Sequence, residues 1–375
     1  MQPRHMKQAS KQRIYSLDMA RGFIVILSVF LSAIPSGGYE YFRHAEWYNI
    51  TVIDLILPSF ITIFGTSMAI AYQKGVNWGK FLKRTVRLIV YGILFTIIVT
   101  WSIDFTSIRL TGVLQMFAIL GIITVLITQY IKSPKKLIII ALFLLFIYGA
   151  VTLISSQQCE DGLPQPSCNL SGIIDINIFG ENHVYAQGTR GFDPEGLVTS
   201  FAALANVLLG YAIGRFMIIH KESKPWKHIL FLGLFLIVLS IIAHYILPYN
   251  KRIWTPSFAL LAAGTTSLMI ATFYLVFDNN RNKDAKKTVL APIVWFFEAF
   301  GRNSFLVYFG KFIIASVLTH IMITVNGKQS SIYSVILSWV ESFSTYPQLT
   351  YAFLMLLFWI IITLILHKKK LYVKV

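Results

Sequence analysis

Tyr41-Phe42-Arg43-His44-Ala45-Glu46-Trp47, followed by Thr51-Val52-Ile53-Asp54-Leu55-Ile56-Leu57-Pro58, decides how this chain is read. It is a short polar, aromatic loop pinned between two apolar segments, 14–34 and 51–73. Each is close to the ~20 residues that an α-helix needs to cross the hydrocarbon of a bilayer. Polar groups so near hydrocarbon are costly unless partnered, so an ionisable residue there is a functional candidate. His44 is the first such residue, and Asp54 follows just inside the next helix.

The same ruler, carried outward, places further spans at 86–103, 110–131, 137–155, 197–219, 229–247, 256–277, 303–325 and 348–367. That predicts an all-α, polytopic membrane helix bundle of ten transmembrane helices. Residues 289–300 are apolar but too short to cross, and read as an interfacial or re-entrant helix. Composition agrees: 56% of the 375 residues are apolar and only 13% charged, where soluble chains carry about a quarter. Mean hydropathy is +0.66.

A net charge of +17 raises the question of nucleic acid. The Lys and Arg residues, however, sit in short clusters between apolar spans, at 4–13, 74–87, 132–136, 221–227, 281–287 and 368–374. They read as topology signals and headgroup anchors to the lipid bilayer, and no nucleic-acid partner is expected. Because the clusters fall in alternate loops, both termini are expected in the cytoplasm. His44, Arg109, both cysteines, His183, Asp193 and Lys251 then lie on the other side. The first span holds Asp18 and Arg21 and is followed by no small-residue cleavage site, so it is expected to be retained. The predicted organisation is a basic cytoplasmic N-terminus over 1–13, one transmembrane domain over 14–367 and a basic tail over 368–375. Within it, loop 156–196 is long enough to fold over the outer mouth, and its run Ile173–Phe179 has the size of a strand. Cys159 and Cys168 share that loop, where an oxidising compartment permits a disulfide and the alternative is two free thiols.

Several polar groups ask for an explanation. Asp18 and Arg21 share one helix face, either as an ion pair anchoring the interface or as a cationic rim for an anionic ligand. Thr51-x-x-Asp54 fits an N-terminal capping box. A capped helix is also a rigid mount for a catalytic acid, so His44, Glu46 and Asp54 can supply a base and the carboxylate that orients it. Arg109, Gln115, His183, Asp193, Glu195, Lys251 and Trp254 recur at the same ends of other spans, and Asn303 opens the ninth. Asp193 and Glu195 precede a helix start, where carboxylates are also favoured as caps. No metal-ligand spacing appears, and phosphate-loop and nucleophile-elbow patterns are absent.

In order along the chain, Ser16-Leu17-Asp18-x-x-Arg21-Gly22, the His44 loop with Thr51-x-x-Asp54, Gly112-Val113-Leu114-Gln115, the cysteine loop to His183-Val184-Tyr185, Phe192-Asp193-Pro194-Glu195-Gly196, Asn250-Lys251-Arg252-Ile253-Trp254 and Asn303-Ser304-x-x-x-Tyr308 resemble the heparan-alpha-glucosaminide N-acetyltransferase family, bacterial members included. The resemblance implies transfer of an acetyl group from cytoplasmic acetyl-CoA, the co-substrate, to glucosamine or a glucosamine-containing glycan across a bacterial cytoplasmic membrane. It implies His44 as base or transient acetyl carrier, Asp54 as its orienting acid or helix cap, and Asp18 and Arg21 at the donor's entrance. The acceptor is expected among Glu46, Trp47, Arg109, Gln115, His183, Asp193, Glu195, Lys251, Trp254 and Asn303. A homodimer is left open. The chain departs from the family at Leu31-Ser32-Ala33-Ile34-Pro35, which has no asparagine, and at Met116, where an arginine is usual. With no oxyanion donor in that loop, a ternary complex is preferred to an acetyl-histidine. The rival readings are a transporter or flippase for an amino sugar or lipid-linked glycan, against which stands the absence of internal repeats, and an O-acetyltransferase of an envelope polysaccharide.

Overall fold

A computed structural model describes residues 14–37, 39–221, 223–279, 283–325 and 327–373. The basic N-terminus over 1–13, Arg281 and Lys374 lie outside the described residues. In chain order the helices are α1 (Tyr15–Ala33), α2 (Ile56–Ala71), α3 (Trp78–Thr100), α4 (Val113–Tyr130), α5 (Pro134–Ser155), α6 (Leu170–Phe179), α7 (Leu197–Ile219), α8 (Pro225–Ile246), α9 (Pro256–Phe273), α10 (Lys283–Arg302), α11 (Ser304–His320), α12 (Ile332–Glu341) and α13 (Pro347–Lys368). All ten predicted spans are helical, and among the described residues eight helices are long and apolar enough to cross a membrane. The two that fall short are α3, whose first turns carry Lys80, Lys83, Arg84 and Arg87, and α11, with 17 residues.

Local sequence explains most of the boundaries. Proline stands in the first turn of α5, α8, α9 and α13, where its missing N–H has no partner to lose. Asn77, Asn169 and Ser331 accept backbone N–H groups at the starts of α3, α6 and α12.

Three expectations are corrected. The strand-sized run Ile173–Phe179 is helical, in α6, because the Asn169 side chain caps it by accepting the Gly172 N–H at 2.8 Å. The span drawn to 325 stops at His320, and a hairpin follows, β1 (Met322–Val325) against β2 (Lys328–Ser331), antiparallel with Met322 opposite Ser331. Gly327, at φ +76°, supplies the left-handed residue of that turn. The segment 289–300 belongs to the 20-residue α10, which packs along α1.

The centre of the bundle is α7, almost wholly buried and packed on α2, α5, α9 and α4. Its approach to α2 is backbone against backbone. A Cβ on Gly65 would lie 2.0 Å from the Val207 carbonyl oxygen, and one on Gly210 1.9 Å from that of Thr62. Small residues let helices meet this closely where no water drives them together. Gly22 and Gly301 do the same for α1 and α10. These two seams fix α1, which carries Asp18 and Arg21, α2, which follows Asp54, and α10, which ends at Arg302.

Candidate active site

The His44 loop is anchored by what flanks it. Trp47 Nε1 and Tyr48 OH both donate to the Pro164 carbonyl, at 2.8 and 2.5 Å, inside the small loop closed by the Cys159–Cys168 disulfide. Trp47 also packs on Phe192, with ring centroids 5.1 Å apart. Between these anchors and α2 stands Asp54, 1% exposed. Its two oxygens divide the work. Oδ2 accepts the backbone N–H groups of Thr51 and Ala45, at 3.0 and 3.2 Å, which closes the loop onto the start of the helix. Oδ1 takes His44 Nδ1 at 2.6 Å. An ionised carboxylate can only accept, so Nδ1 carries the proton and Nε2 keeps a lone pair.

Lys251, from the turn between α8 and α9, closes the group. Its Nζ stands 2.9 Å from His44 Nδ1, 3.5 Å from Nε2 and 3.5 Å from Asp54 Oδ1. With the Nδ1 proton committed to Asp54, Lys251 is balanced by that carboxylate rather than bonded to the ring. Burial lowers the pKa of His44, the Asp54 hydrogen bond opposes this, and the Lys251 charge adds to the lowering. Burial also lowers Lys251, against the pull of Asp54 and Glu195. The His44 side chain is still 40% exposed, and the lowering favours the neutral imidazole, with one nitrogen available as a base.

Arg109 braces the other wall. Its Nη2 meets Asp193 Oδ1 at 2.6 Å and Glu195 Oε2 at 2.7 Å, and its guanidinium lies over the Tyr185 ring. Burial alone would lower its pKa, but the Glu195 and Asp193 charges outweigh it and raise it. Asp193 further accepts the Tyr185 and Glu195 N–H groups and the Thr111 hydroxyl. Asp175 caps α7 from α6, accepting the Leu197 N–H at 2.8 Å. Burial lifts its carboxyl to about 6. A Cβ on Gly196 would sit 2.2 Å from that carboxylate, which accounts for the glycine in Asp193-Pro194-Glu195-Gly196.

Two cavities lie back to back. The His44 cavity, about 450 Å³, is lined by His44, Arg109, Gln115, Glu195, Lys251, Arg252 and Lys311 among others. The arginine cavity, about 600 Å³, is lined by Asp18, Arg21, Arg84 and Arg302 at its polar part and by Phe60, Phe64 and Phe117 at its apolar part. Leu57, Val113, Leu114, Tyr308 and Phe309 line both, so one thin wall separates them. Arg21 meets Asp18 at 3.4 Å and Ser67 Oγ at 2.5 Å. Arg84 Nε is buried with no hydrogen-bond partner among the described residues, its guanidinium 5.4 Å from the Phe64 ring.

The structure thus gathers His44, Asp54, Arg109, Gln115, Glu195 and Lys251 at one cavity and Asp18 and Arg21 at the other. Asp193 stands behind Arg109. The remaining predicted residues go elsewhere. Glu46 is exposed. Trp47 anchors the loop, His183 binds the Ile108 carbonyl at 2.8 Å, Trp254 is buried on Asn206, and Asn303 bonds the Ala299 carbonyl within its own helix end. Sequence reasoning passed over Lys311, Arg84, Arg252 and Arg302. Lys311 had a signal: a lysine in the middle of the apolar stretch 304–320 is costly there unless it has a role.

A family model described as the catalytic region of heparan-alpha-glucosaminide N-acetyltransferase matches residues 13–250. Two curated relatives, both named heparan-alpha-glucosaminide N-acetyltransferase, are each 25% identical: the Homo sapiens protein over 361 residues and the Mus musculus protein over 368. These alignments cover 80% and 81% of this chain and 52% and 54% of the relatives, so the chain spans about half their length.

Proposed function

The chain belongs to the heparan-alpha-glucosaminide N-acetyltransferase family, and we propose on that footing that it is a membrane acetyltransferase. It moves an acetyl group from acetyl-CoA to the amino group of glucosamine or a glucosamine-containing glycan. The donor enters the arginine cavity from the cytoplasmic side, and the acceptor occupies the His44 cavity on the other.

The observation that carries this reading is the pair of cavities with a shared wall. Guanidinium forks suit phosphates, and Arg21, Arg84 and Arg302 stand where a nucleotide's phosphates would be held. The thioester arm then reaches toward Tyr308 and Leu57. Across that wall the acceptor reacts as the free amine, its ammonium proton lost to water, and as its nitrogen attacks the thioester carbonyl carbon it gives a further proton to His44 Nε2. The C–N bond forms and the C–S bond breaks. The departing thiolate takes the proton back from the imidazolium, and Asp54 holds the ring through both transfers. Donor and acceptor meet in one ternary complex. In the test, purified protein is given radiolabelled acetyl-CoA and glucosamine. Equimolar CoA and N-acetylated sugar support the reading, whereas glucosamine uptake into vesicles without acetylation would favour a transporter.

A further inference from the structure

One cation in the His44 cavity has no part in moving protons through His44. Lys311 lies halfway along α11 and is 8% exposed. Its Nζ donates to the Ser28 carbonyl at 2.9 Å, to Ser28 Oγ at 2.6 Å and to Ser32 Oγ at 2.7 Å. Ser32 Oγ in turn donates to the Ser28 carbonyl, so its lone pairs face the amine. The Tyr308 and Phe312 rings flank the nitrogen with centroids at 5.0 and 4.5 Å. Among the described residues no carboxylate forms an ion pair with it, unlike Arg109, which has Asp193 and Glu195, and Lys251, which has Asp54.

Three oxygen acceptors satisfy the protons of an ammonium group but leave its charge unbalanced, and a buried charge without a counter-charge is costly. A bundle that needed only packing here would place leucine or methionine. An amine held this way, with no counter-charge beside it, is placed to meet a negative charge that develops in the cavity. The wall residue Tyr308, one turn before it on α11, lines both cavities, so Lys311 flanks the point where donor and acceptor would meet.

We propose that Lys311 is the oxyanion donor of the transfer, a role that rests on the acetyltransferase reading above. As the acceptor nitrogen adds to the thioester, the carbonyl π pair moves onto oxygen. That oxygen becomes a stronger acceptor than either serine hydroxyl and takes one ammonium proton in hydrogen bonding, with Ser28 and Ser32 holding the rest of the group in place. When the C–S bond breaks, the pair returns to the carbonyl and Lys311 returns to its serines. The charge it meets exists only in the transition state, so its effect falls on kcat rather than on KM.

The test uses the fact that both native cysteines are joined in the disulfide, so the new thiol in Lys311→Cys is the only free one. This variant is expected to lose 100- to 1,000-fold in kcat, the usual effect of removing one oxyanion donor, with KM for acetyl-CoA and for glucosamine within about threefold. Alkylation with 2-bromoethylamine rebuilds an amine at this position and should restore at least about tenfold of the lost rate. Methylthiolation of the same preparation, which fills space without charge, should restore none. A kcat within threefold of wild type, a loss confined to the acceptor's KM, or equal recovery with both reagents would overturn the assignment alone. A wild-type protein that transfers acetyl to no amino sugar would overturn the acetyltransferase reading and this role with it.

Discussion

The two cavities are both lined with cations, but of different kinds. In the arginine cavity the positive charge of Arg21, Arg84 and Arg302 is permanent, since guanidinium keeps its proton at any pH a cell meets. In the His44 cavity the groups that are not locked into ion pairs with two carboxylates are Arg252, an imidazole and two amines, His44, Lys251 and Lys311. Arg109 lines that cavity too, but Asp193 and Glu195 hold it as part of the wall. Fixed charge suits holding phosphates, and the imidazole of His44 suits accepting and returning a proton. On the proposed function, binding falls to one end of the bundle and chemistry to the other.

The largest expected effect breaks the chemical end. His44→Ala should lower turnover at least ~100-fold while KM for acetyl-CoA changes little, because the nucleotide is held beyond the shared wall. Steady-state kinetics measure both, and near-normal turnover would move the active site away from this loop. The binding end predicts the opposite split. Arg84→Ala should raise KM for acetyl-CoA about 10-fold, equivalent to about 1.4 kcal/mol, with kcat nearly unchanged. A fall in kcat with constant KM would erase the distinction between the cavities.

The smallest effect concerns pH. Burial and Lys251 both lower the pKa of His44 below its ordinary 6.5, and a base works only when deprotonated. Activity should therefore be retained as pH falls to 6.5 and be lost below it, as the ring gains a proton. Lys251→Met removes one of the lowering charges, so the acid limb of the kcat profile should move to higher pH. A shift to lower pH would mean that the limb reports a different group.

Much of the fold was legible because transmembrane helices need only length and apolarity, and all ten predicted spans are helical. The misreadings have local causes. Ile173–Phe179 looks like a strand because its apolar residues alternate with Asp175 and Asn177, yet Asn169 starts a helix whose Asp175 turns inward to cap α7. The hairpin after α11 was hidden because Met322–Val325 is as apolar as the helix before it. Within the site, His44 and Asp54 could be paired from sequence because ten residues and a capping pattern connect them. Lys251 stands 207 residues from His44, and Arg109 stands 84 from Asp193, distances over which no spacing rule reaches. Lys311 was legible in principle, but averaging hydropathy over a span conceals a single charge inside it.

The claim on which the rest depends is that donor and acceptor approach from opposite faces. It can be measured in proteoliposomes in which the protein has a single orientation, established by labelling a cysteine introduced at Lys135 with an impermeant reagent. Radiolabelled acetyl-CoA is supplied on the face bearing Lys135 and glucosamine is enclosed on the other. Labelled N-acetylglucosamine should accumulate only inside, and none should form when both substrates are confined to the face bearing Lys135. Product formed with both substrates on that one face, and none across the membrane, would contradict the account.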